Sequence, residues 1–147
     1  MNDKDIVEVL LVEDNPRDAE LTIRALKRHN LANQLFHAED GADALDFLFG
    51  RGKYEGRQTD ISPKVVLLDL KLPKVNGLEV LRIMKSDPHM RTIPVIMVTS
   101  SAEDPDIKAA YDLGANGYVI KPVQFDAFME AMSHLGVYWL IVNHSMK

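Results

Sequence analysis

One short run of the chain, residues 64–77 (KVVLLDLKLPKVNG), constrains the fold more than any other. Residues 65–68 are aliphatic at every position, so a strand there would be apolar on both faces. That pattern is typical of a central parallel strand covered by helices on both sides. The run stops at Asp69, and Pro73 and Gly77 then interrupt the chain. The sequence therefore predicts a buried strand with a carboxylate at its carboxyl end, the edge where open α/β sheets form ligand crevices.

Strand-like and helix-like segments alternate along the rest of the chain. β-favouring apolar runs occupy residues 7–12, 35–39, 65–68, 94–99 and 118–120. Helical periodicity occupies residues 16–29, 40–50, 77–85, 104–114 and the segment from about residue 125. Pro16 suits the first position of a helix, Gly50 suits a helix end, and Asp104 suits a helix cap. Five strands alternating with five helices predict a parallel sheet with right-handed crossovers.

The connection between the second helix and the third strand, residues 51–63, shows no periodicity. It is longer than most connections in compact α/β domains. Its charges are of both signs, which favours an exposed, solvated loop over a docking site.

Length and composition exclude several classes of protein. A chain of 147 residues with 46% hydrophobic content suits one globular domain, with its core at about residues 6–136. A net charge of -5 without a basic stripe argues against direct nucleic-acid binding. The absence of cysteine excludes disulfides and thiolate metal sites, and the N-terminus is neither a signal peptide nor a membrane span. We therefore expect a cytoplasmic protein that binds no membrane.

Four of the five predicted strands end in polar residues of particular types. Glu13 and Asp14 follow the first strand, Asp69 the third, Thr99 ends the fourth and Lys121 follows the fifth. Because the carboxyl ends of parallel strands share one edge, three carboxylates, a hydroxyl and an ammonium should meet in one cleft. Carboxylates at such short separations repel one another unless a cation lies between them. Oxygen ligands of this kind suit Mg²⁺.

Four segments, in this order and at these spacings, resemble the receiver domain of two-component response regulators. They are LLVEDN (10–15), LLDLKLPKVNG (67–77), PVIMVTSS (94–101) and GYVIKP (117–122). The resemblance spans nearly the whole chain. It implies an α/β fold of the flavodoxin-like type, a doubly wound five-stranded parallel sheet of order 2-1-3-4-5 with five helices.

The resemblance implies that Asp69 is the phosphoacceptor. Its carboxylate would attack the phosphorus of a kinase phosphohistidine and form an acyl phosphate, a reaction that depends on positioning and charge neutralisation. Glu13, Asp14, Asp69 and the backbone carbonyl of Lys71 would hold Mg²⁺, with Mn²⁺ as a possible substitute.

The same resemblance implies a switch. Lys121 would pair with one phosphoryl oxygen and the Thr99 hydroxyl would donate to another, and a cis Lys121–Pro122 peptide would aim the lysine into the cleft. The phosphoryl group would draw Thr99 inward and vacate space that Tyr118 could fill by rotating from solvent.

Each of these residues also has an ordinary explanation when it is taken alone. Asp69 could be a loop or cap residue, Lys121 a surface lysine, and Thr99 a strand residue with a satisfied hydroxyl. An aromatic at a sheet edge, like Tyr118, is common without any switching role. The joint placement favours function for the first three. The histidines show no ligand spacing, and we interpret them as surface groups: His29, His37, His89, His134 and His144.

The C-terminal run at residues 137–142, VYWLIV, is apolar at consecutive positions. A helix there cannot turn every side chain toward its own domain. We favour a dimer seam over a helix end folded back on the domain, and its candidate residues are Val137, Tyr138, Trp139, Leu140 and Ile141. This extension and the loop at 51–63 are similar to those of stand-alone regulators that pair with phytochrome-type kinases. The resemblance thus implies a sensor histidine kinase or phosphotransfer protein as partner.

The function that the sequence favours is a phosphoacceptor signalling protein without an output domain, because the chain ends soon after the last helix. It would catalyse only its own phosphorylation and dephosphorylation. A haloacid-dehalogenase-type phosphatase also uses a strand-end aspartate as its nucleophile, with a second aspartate two residues later as the general acid. In this chain that second position is Lys71. A flavodoxin-like cofactor binder would need a Gly-rich or Ser/Thr-rich phosphate loop after the first strand, and no such loop follows it here. A pseudo-receiver that acts only as a scaffold is the remaining alternative.

Overall fold

The five strands form one parallel sheet in the order β2-β1-β3-β4-β5, as predicted. The computed structural model describes residues 7–28 and 34–135. The strands are β1 (Val9–Val12), β2 (Leu35–Ala38), β3 (Val65–Leu68), β4 (Val95–Thr99) and β5 (Gly117–Ile120). The helices are α1 (Pro16–Arg28), α2 (Gly41–Phe49), α3 (Gly77–Ser86), α4 (Asp104–Asp112) and α5 (Phe125–Leu135). Short 3₁₀ turns lie at Gly52–Tyr54 and Met90–Thr92. The candidate dimer residues at 137–141 lie outside the described ranges.

Helices cover both faces of the sheet, and this explains the unbroken apolar run of β3. Val66 and Leu68 face a core cluster shared with α2, α3 and α4, whereas Val65 and Leu67 face a second cluster shared with α1 and α5. All four side chains are inaccessible to solvent. Burying each such side chain contributes about 1.5–3 kcal/mol, so this strand is an anchor for the whole sheet. Among the described residues, no helix is long and apolar enough to cross a membrane.

The helix ends agree with the sequence prediction except at α4. The Asp40 side chain accepts from the Asp43 backbone N–H at the start of α2, and Gly50 closes that helix with a φ of 65°. Asp104 is already the first residue of α4, and the capping position belongs to Glu103, whose side chain makes no cap hydrogen bond. The predicted cap was therefore wrong by one residue. A carboxylate inside the first turn is still favourable, because it lies near the positive end of the helix dipole.

The connection at 51–63 is exposed at more than half of its positions, as predicted, but two of its side chains pack against the domain. Tyr54 packs edge-on against Phe36, with ring centroids 5.6 Å apart, and its hydroxyl donates to Asp43 Oδ1 at 2.7 Å. The guanidinium of Arg57 lies 3.8 Å from the centroid of the Phe47 ring. The prediction of an exposed segment is therefore confirmed for seven of its residues, whereas Tyr54 and Arg57 are half-buried. Periodicity could not show these contacts, because their partners lie on α2 and β2.

Candidate functional site

The register of the sheet brings the predicted strand-end residues together. The last residues of β1 and β3 are paired, so Glu13 and Asp69 leave the sheet side by side. The last residues of β4 and β5 are also paired, which places Thr99 and Lys121 at the same edge. Backbone hydrogen bonds continue past the strands, since Lys121 N donates to Thr99 O at 2.8 Å. The cleft is therefore built by the ends of four strands.

Lys121 is the centre of this cleft. Its Nζ lies 2.6 Å from Glu13 Oε1, 2.9 Å from Asp69 Oδ2 and 3.0 Å from Asp18 Oδ2. The Lys121–Pro122 peptide bond is cis, as predicted. One half-buried ammonium thus joins carboxylates from three different chain segments.

The carboxylates fit a small divalent cation. Glu13, Asp14 and Asp69 each offer one oxygen, and these oxygens all lie within 4.8 Å of one another. Glu13 and Asp69 are buried, whereas Asp14 is exposed and gives the group an open side. Lys71 is exposed and, together with Asp14, lines a cavity of about 540 Å³. Three hard oxygen donors with one solvent-facing side match the preference of Mg²⁺ or Mn²⁺, which keep waters in their coordination shells.

The charged groups of the cleft shift one another's pKa values. Burial, with a smaller contribution from Asp69, raises the pKa of Glu13 to about 7, although its hydrogen bond from Lys121 opposes the rise. Burial by itself would lower the pKa of Lys121, but its hydrogen bonds to Glu13, Asp69 and Asp18 outweigh that effect and raise it. Lys121 is therefore a permanent cation, while Glu13 without a metal ion is close to its midpoint at neutral pH.

The raised pKa of Glu13 predicts a loss of stability as the pH rises in metal-free protein. A carboxyl whose pKa is higher in the folded state stabilises the fold fully below its unfolded pKa of about 4.3, and this contribution disappears as the pH rises through 7. We expect the free energy of unfolding of the wild type in EDTA to fall between pH 5 and pH 8 by more than that of Glu13→Gln. Urea unfolding at both pH values measures this difference.

A surface glutamate provides the control for this measurement. Glu79→Gln removes a partly exposed carboxylate paired with Arg82. Its free energy of unfolding should decrease between pH 5 and pH 8 by as much as that of the wild type. Equal pH dependence in Glu13→Gln and the wild type would contradict the assignment.

Thr99 and Tyr118 are connected through Ser101. Thr99 is only 1% exposed, and its hydroxyl oxygen accepts from the backbone N–H of Ser101 at 3.4 Å. The hydroxyl of the half-buried Tyr118 donates to the carbonyl oxygen of Ser101 at 3.0 Å. The Ser101 hydroxyl in turn donates to Asp106 Oδ2 at 2.5 Å, which fixes this loop to the first turn of α4. The sequence did not indicate this link.

Sequence reasoning missed two residues that contact the cleft. Asp18 reaches Lys121 from the first turn of α1, and its place in the helix that directly follows β1 was the one signal that it could lie near the cleft. His37 was predicted to be a surface group, but it is half-buried and hydrogen-bonds through Nε2 to the Glu13 carbonyl oxygen at 2.7 Å. Because this contact depends on the pairing of β1 with β2, no local signal could have revealed it.

Comparisons with known proteins identify relatives over most of the chain. The probable methanogenesis regulatory protein FilR2 of Methanothrix harundinacea is 40% identical over 137 residues, which is 93% of this chain and 86% of FilR2. The response regulator Rcp1 of Synechocystis sp. is 35% identical over 90% of this chain and 88% of its own length.

Solved structures of response regulators have a similar fold over most of this chain. The structure of the bacteriophytochrome response regulator AtBRR is 53% identical, with a TM-score of 0.83 over 91% of this chain and 95% of AtBRR. The Mn²⁺-bound form of Rcp1 has a TM-score of 0.73 at 36% identity, over 90% of this chain and 93% of that structure.

The family model that matches is the response regulator receiver domain, and it covers residues 9–133. That range includes all five strands of the sheet and every residue placed in the cleft. With its order of strands, its strand-end carboxylates and lysine, and this match over most of its length, the chain belongs to the response regulator receiver domain family.

Proposed function

We propose that this chain is a stand-alone response regulator whose Asp69 accepts a phosphoryl group in an Mg²⁺-dependent reaction, and that the modification changes the binding of partners. The observation that carries the proposal is the contact of 2.9 Å between Lys121 and Asp69, which with Glu13 and Asp14 forms a group of three carboxylates whose oxygens lie within 4.8 Å of one another. A buried nucleophile next to a fixed cation suits phosphoryl transfer, which depends on positioning and electrostatic stabilisation.

The chemical step needs no general base. An Asp69 carboxylate oxygen attacks phosphorus, an O–P bond forms, and the bond from phosphorus to the donor histidine nitrogen breaks with its electron pair remaining on nitrogen. Glu13, Asp14, Asp69 and the Lys71 carbonyl would hold the metal ion. When bound, Mg²⁺ would supply charge neutralisation at the carboxylates and the phosphoryl oxygens.

The Lys121 ammonium would change its hydrogen-bond partner as negative charge is added at the phosphoryl group. Lys121 already donates to Asp69 Oδ2, so a short movement would let it donate to a phosphoryl oxygen. The buried hydroxyl of Thr99 would donate to another. Movement of Thr99 toward the phosphoryl group would lengthen the hydrogen bond of 3.4 Å that it accepts from the Ser101 backbone N–H.

The switch would act through Ser101. Both Thr99 and Tyr118 hydrogen-bond to this residue, so an inward movement of Thr99 would disturb the Tyr118 contact as well. Tyr118 would then rotate further into the domain and change the surface of α4 and β5. Only a bias of a few kcal/mol between two packings is needed for such a change.

The partner that the relatives support is a sensor histidine kinase of phytochrome type or a phosphotransfer protein. AtBRR is a bacteriophytochrome response regulator, and it is 53% identical to this chain. We further propose that residues 1–147 form a single receiver domain, acting in the cytoplasm. A phosphatase of the haloacid-dehalogenase type is not supported, because the exposed Lys71 occupies the position of its general acid.

We also propose a homodimer through the apolar residues at 137–141, on the basis of the sequence alone. Trp139→Glu would place a charge in that seam, so we expect it to sediment as a monomer at concentrations where the wild type is dimeric. Sedimentation of both proteins, with and without beryllofluoride, tests this. Monomers throughout would overturn the proposal.

Incubation with acetyl phosphate tests the phosphoacceptor function directly. With Mg²⁺, intact mass should show one added phosphoryl group, and with EDTA the label should be lost or strongly reduced because the carboxylates repel the donor. Equal labelling in both conditions would contradict the metal dependence. No label on folded protein in Mg²⁺ would contradict the proposed function.

A further inference from the structure

The ammonium of Lys121 has a third partner that the mechanism above does not use. Asp18 Oδ2 lies 3.0 Å from Nζ, almost as close as Asp69 Oδ2 at 2.9 Å. An ammonium has three donors, and Asp18, Glu13 and Asp69 occupy all of them. Asp18 lies outside the group of three carboxylates that fit a metal ion. Among the residues that the structure describes, Lys121 is the one ion-pair partner of the Asp18 side chain.

The N-terminal turn of α1 fixes the position of Asp18. Asn15 caps this helix, because its side-chain oxygen accepts from the backbone N–H groups of Arg17 at 2.9 Å and Asp18 at 3.2 Å. The backbone N–H of Asn15 donates to Glu13 Oε2 at 3.2 Å, so the cap is itself attached to the cleft. Asp18 is thus placed by a capped helix rather than by a free loop.

We propose that Asp18 is a positioning residue that acts through Lys121, an inference that rests on the proposed function. During phosphorylation, Glu13 and Asp69 must share their charge with a metal ion and with the incoming phosphoryl group. Their electrostatic attraction for the Lys121 ammonium then weakens, whereas the attraction of Asp18 does not. Because lysine has a flexible four-carbon stem, an anchor outside the reacting set keeps the ammonium at the cleft.

An ordinary structural role for Asp18 makes a different prediction. Asp18 is the third residue of α1, where a carboxylate stabilises the helix through its dipole. Such an effect would not depend on Lys121. A residue that acts through Lys121 must lose its influence when Lys121 is replaced.

A double-mutant cycle separates the two roles. In the wild-type background, we expect Asp18→Asn to lower the initial rate of labelling by acetyl phosphate and Mg²⁺ about fivefold, the scale of a partly exposed ion pair. In a Lys121→Met background, the same change should leave the residual rate unaltered. Asp18→Glu, which keeps the charge, should recover part of the rate. An equal loss from Asp18→Asn in both backgrounds would overturn the proposal.

Glu79→Gln is the matched control. Glu79 is also the third residue of its helix, α3, and it also forms an ion pair, but its partner is Arg82. We expect this variant to keep the wild-type rate and circular dichroism. A loss as large as that of Asp18→Asn would show that acidic residues of helix N-termini matter in general, and would also overturn the proposal.

A measurement without phosphodonor distinguishes this inference from the function on which it rests. Acetic anhydride in trace amounts modifies lysines in proportion to their accessible free amine, and peptide mass analysis gives the reactivity of Lys121 relative to the exposed Lys27. Asp18→Asn should raise that ratio at least twofold, and Glu79→Gln should not. An unchanged ratio would refute the anchoring of Lys121. If the wild type accepts no phosphoryl group, the proposed function fails. The reactivity ratio still shows whether Asp18 positions Lys121.

Discussion

Asp69→Asn is expected to abolish the Mg²⁺-dependent label that acetyl phosphate places on the wild type. The amide of Asn is neutral and a far weaker nucleophile than a carboxylate, and it also removes one of the three carboxylates that fit the metal ion. Burial is the main cause of the raised pKa of Glu13 and the charge of Asp69 adds to it, so replacing Asp69 relieves part of the repulsion in the cleft. We therefore expect the variant to remain folded, so that the loss of label reflects chemistry rather than unfolding. Intact mass and circular dichroism measure the two properties.

A surface aspartate is the control for this loss. Asp112 forms an ion pair with Lys108, and its side chain is 62% exposed, so Asp112→Asn should be labelled like the wild type. Full labelling of Asp69→Asn would show that another residue is the phosphoacceptor.

Gly77→Ala is expected to cost about 3 kcal/mol of unfolding free energy or more, and to lower the phosphorylation rate with it. A Cβ at this position would lie 2.0 Å from the backbone oxygen of Asp69 and 2.8 Å from Cα of Leu70. Both are backbone atoms, so the clash cannot be relieved by a change of rotamer. Since Gly77 begins α3, the helix would have to move away from the end of β3 and displace Asp69. Urea unfolding and the acetyl phosphate assay report the two effects.

Gly117→Ala is the matched glycine for comparison. A Cβ there would meet Ala131 Cβ and the Ile96 side chain at 3.5 Å, which is ordinary contact. We expect this buried variant to lose less than about 1 kcal/mol. If Gly77→Ala is no less stable than Gly117→Ala, the close approach of α3 to β3 is wrong.

Much of the architecture could be predicted because its signals are local. The aliphatic run of β3, the proline that starts α1 and the glycine that ends α2 each depend on a few neighbouring residues, and all three are confirmed. The cleft was predictable for a topological reason. In a parallel sheet the strand ends lie at one edge, so Glu13, Asp69 and Lys121 had to meet once the strands were identified.

The order of the strands came from the family resemblance rather than from any local pattern. The packing of residues 51–63 could not be predicted, because Tyr54 is held by rings and a carboxylate from other elements. The same is true of His37, whose contact with the Glu13 carbonyl depends on which strand lies beside β1.

By itself, the sequence determined which side chains stand at the reacting edge and that a strand-end carboxylate is the candidate nucleophile. Only the tertiary structure decided how their charge is shared. It placed one ammonium among Glu13, Asp69 and Asp18, and it connected Thr99 to Tyr118 through Ser101. The physical reason is that hydrogen bonds and ion pairs form at separations near 3 Å, and such separations between distant chain segments are set by strand register and helix packing.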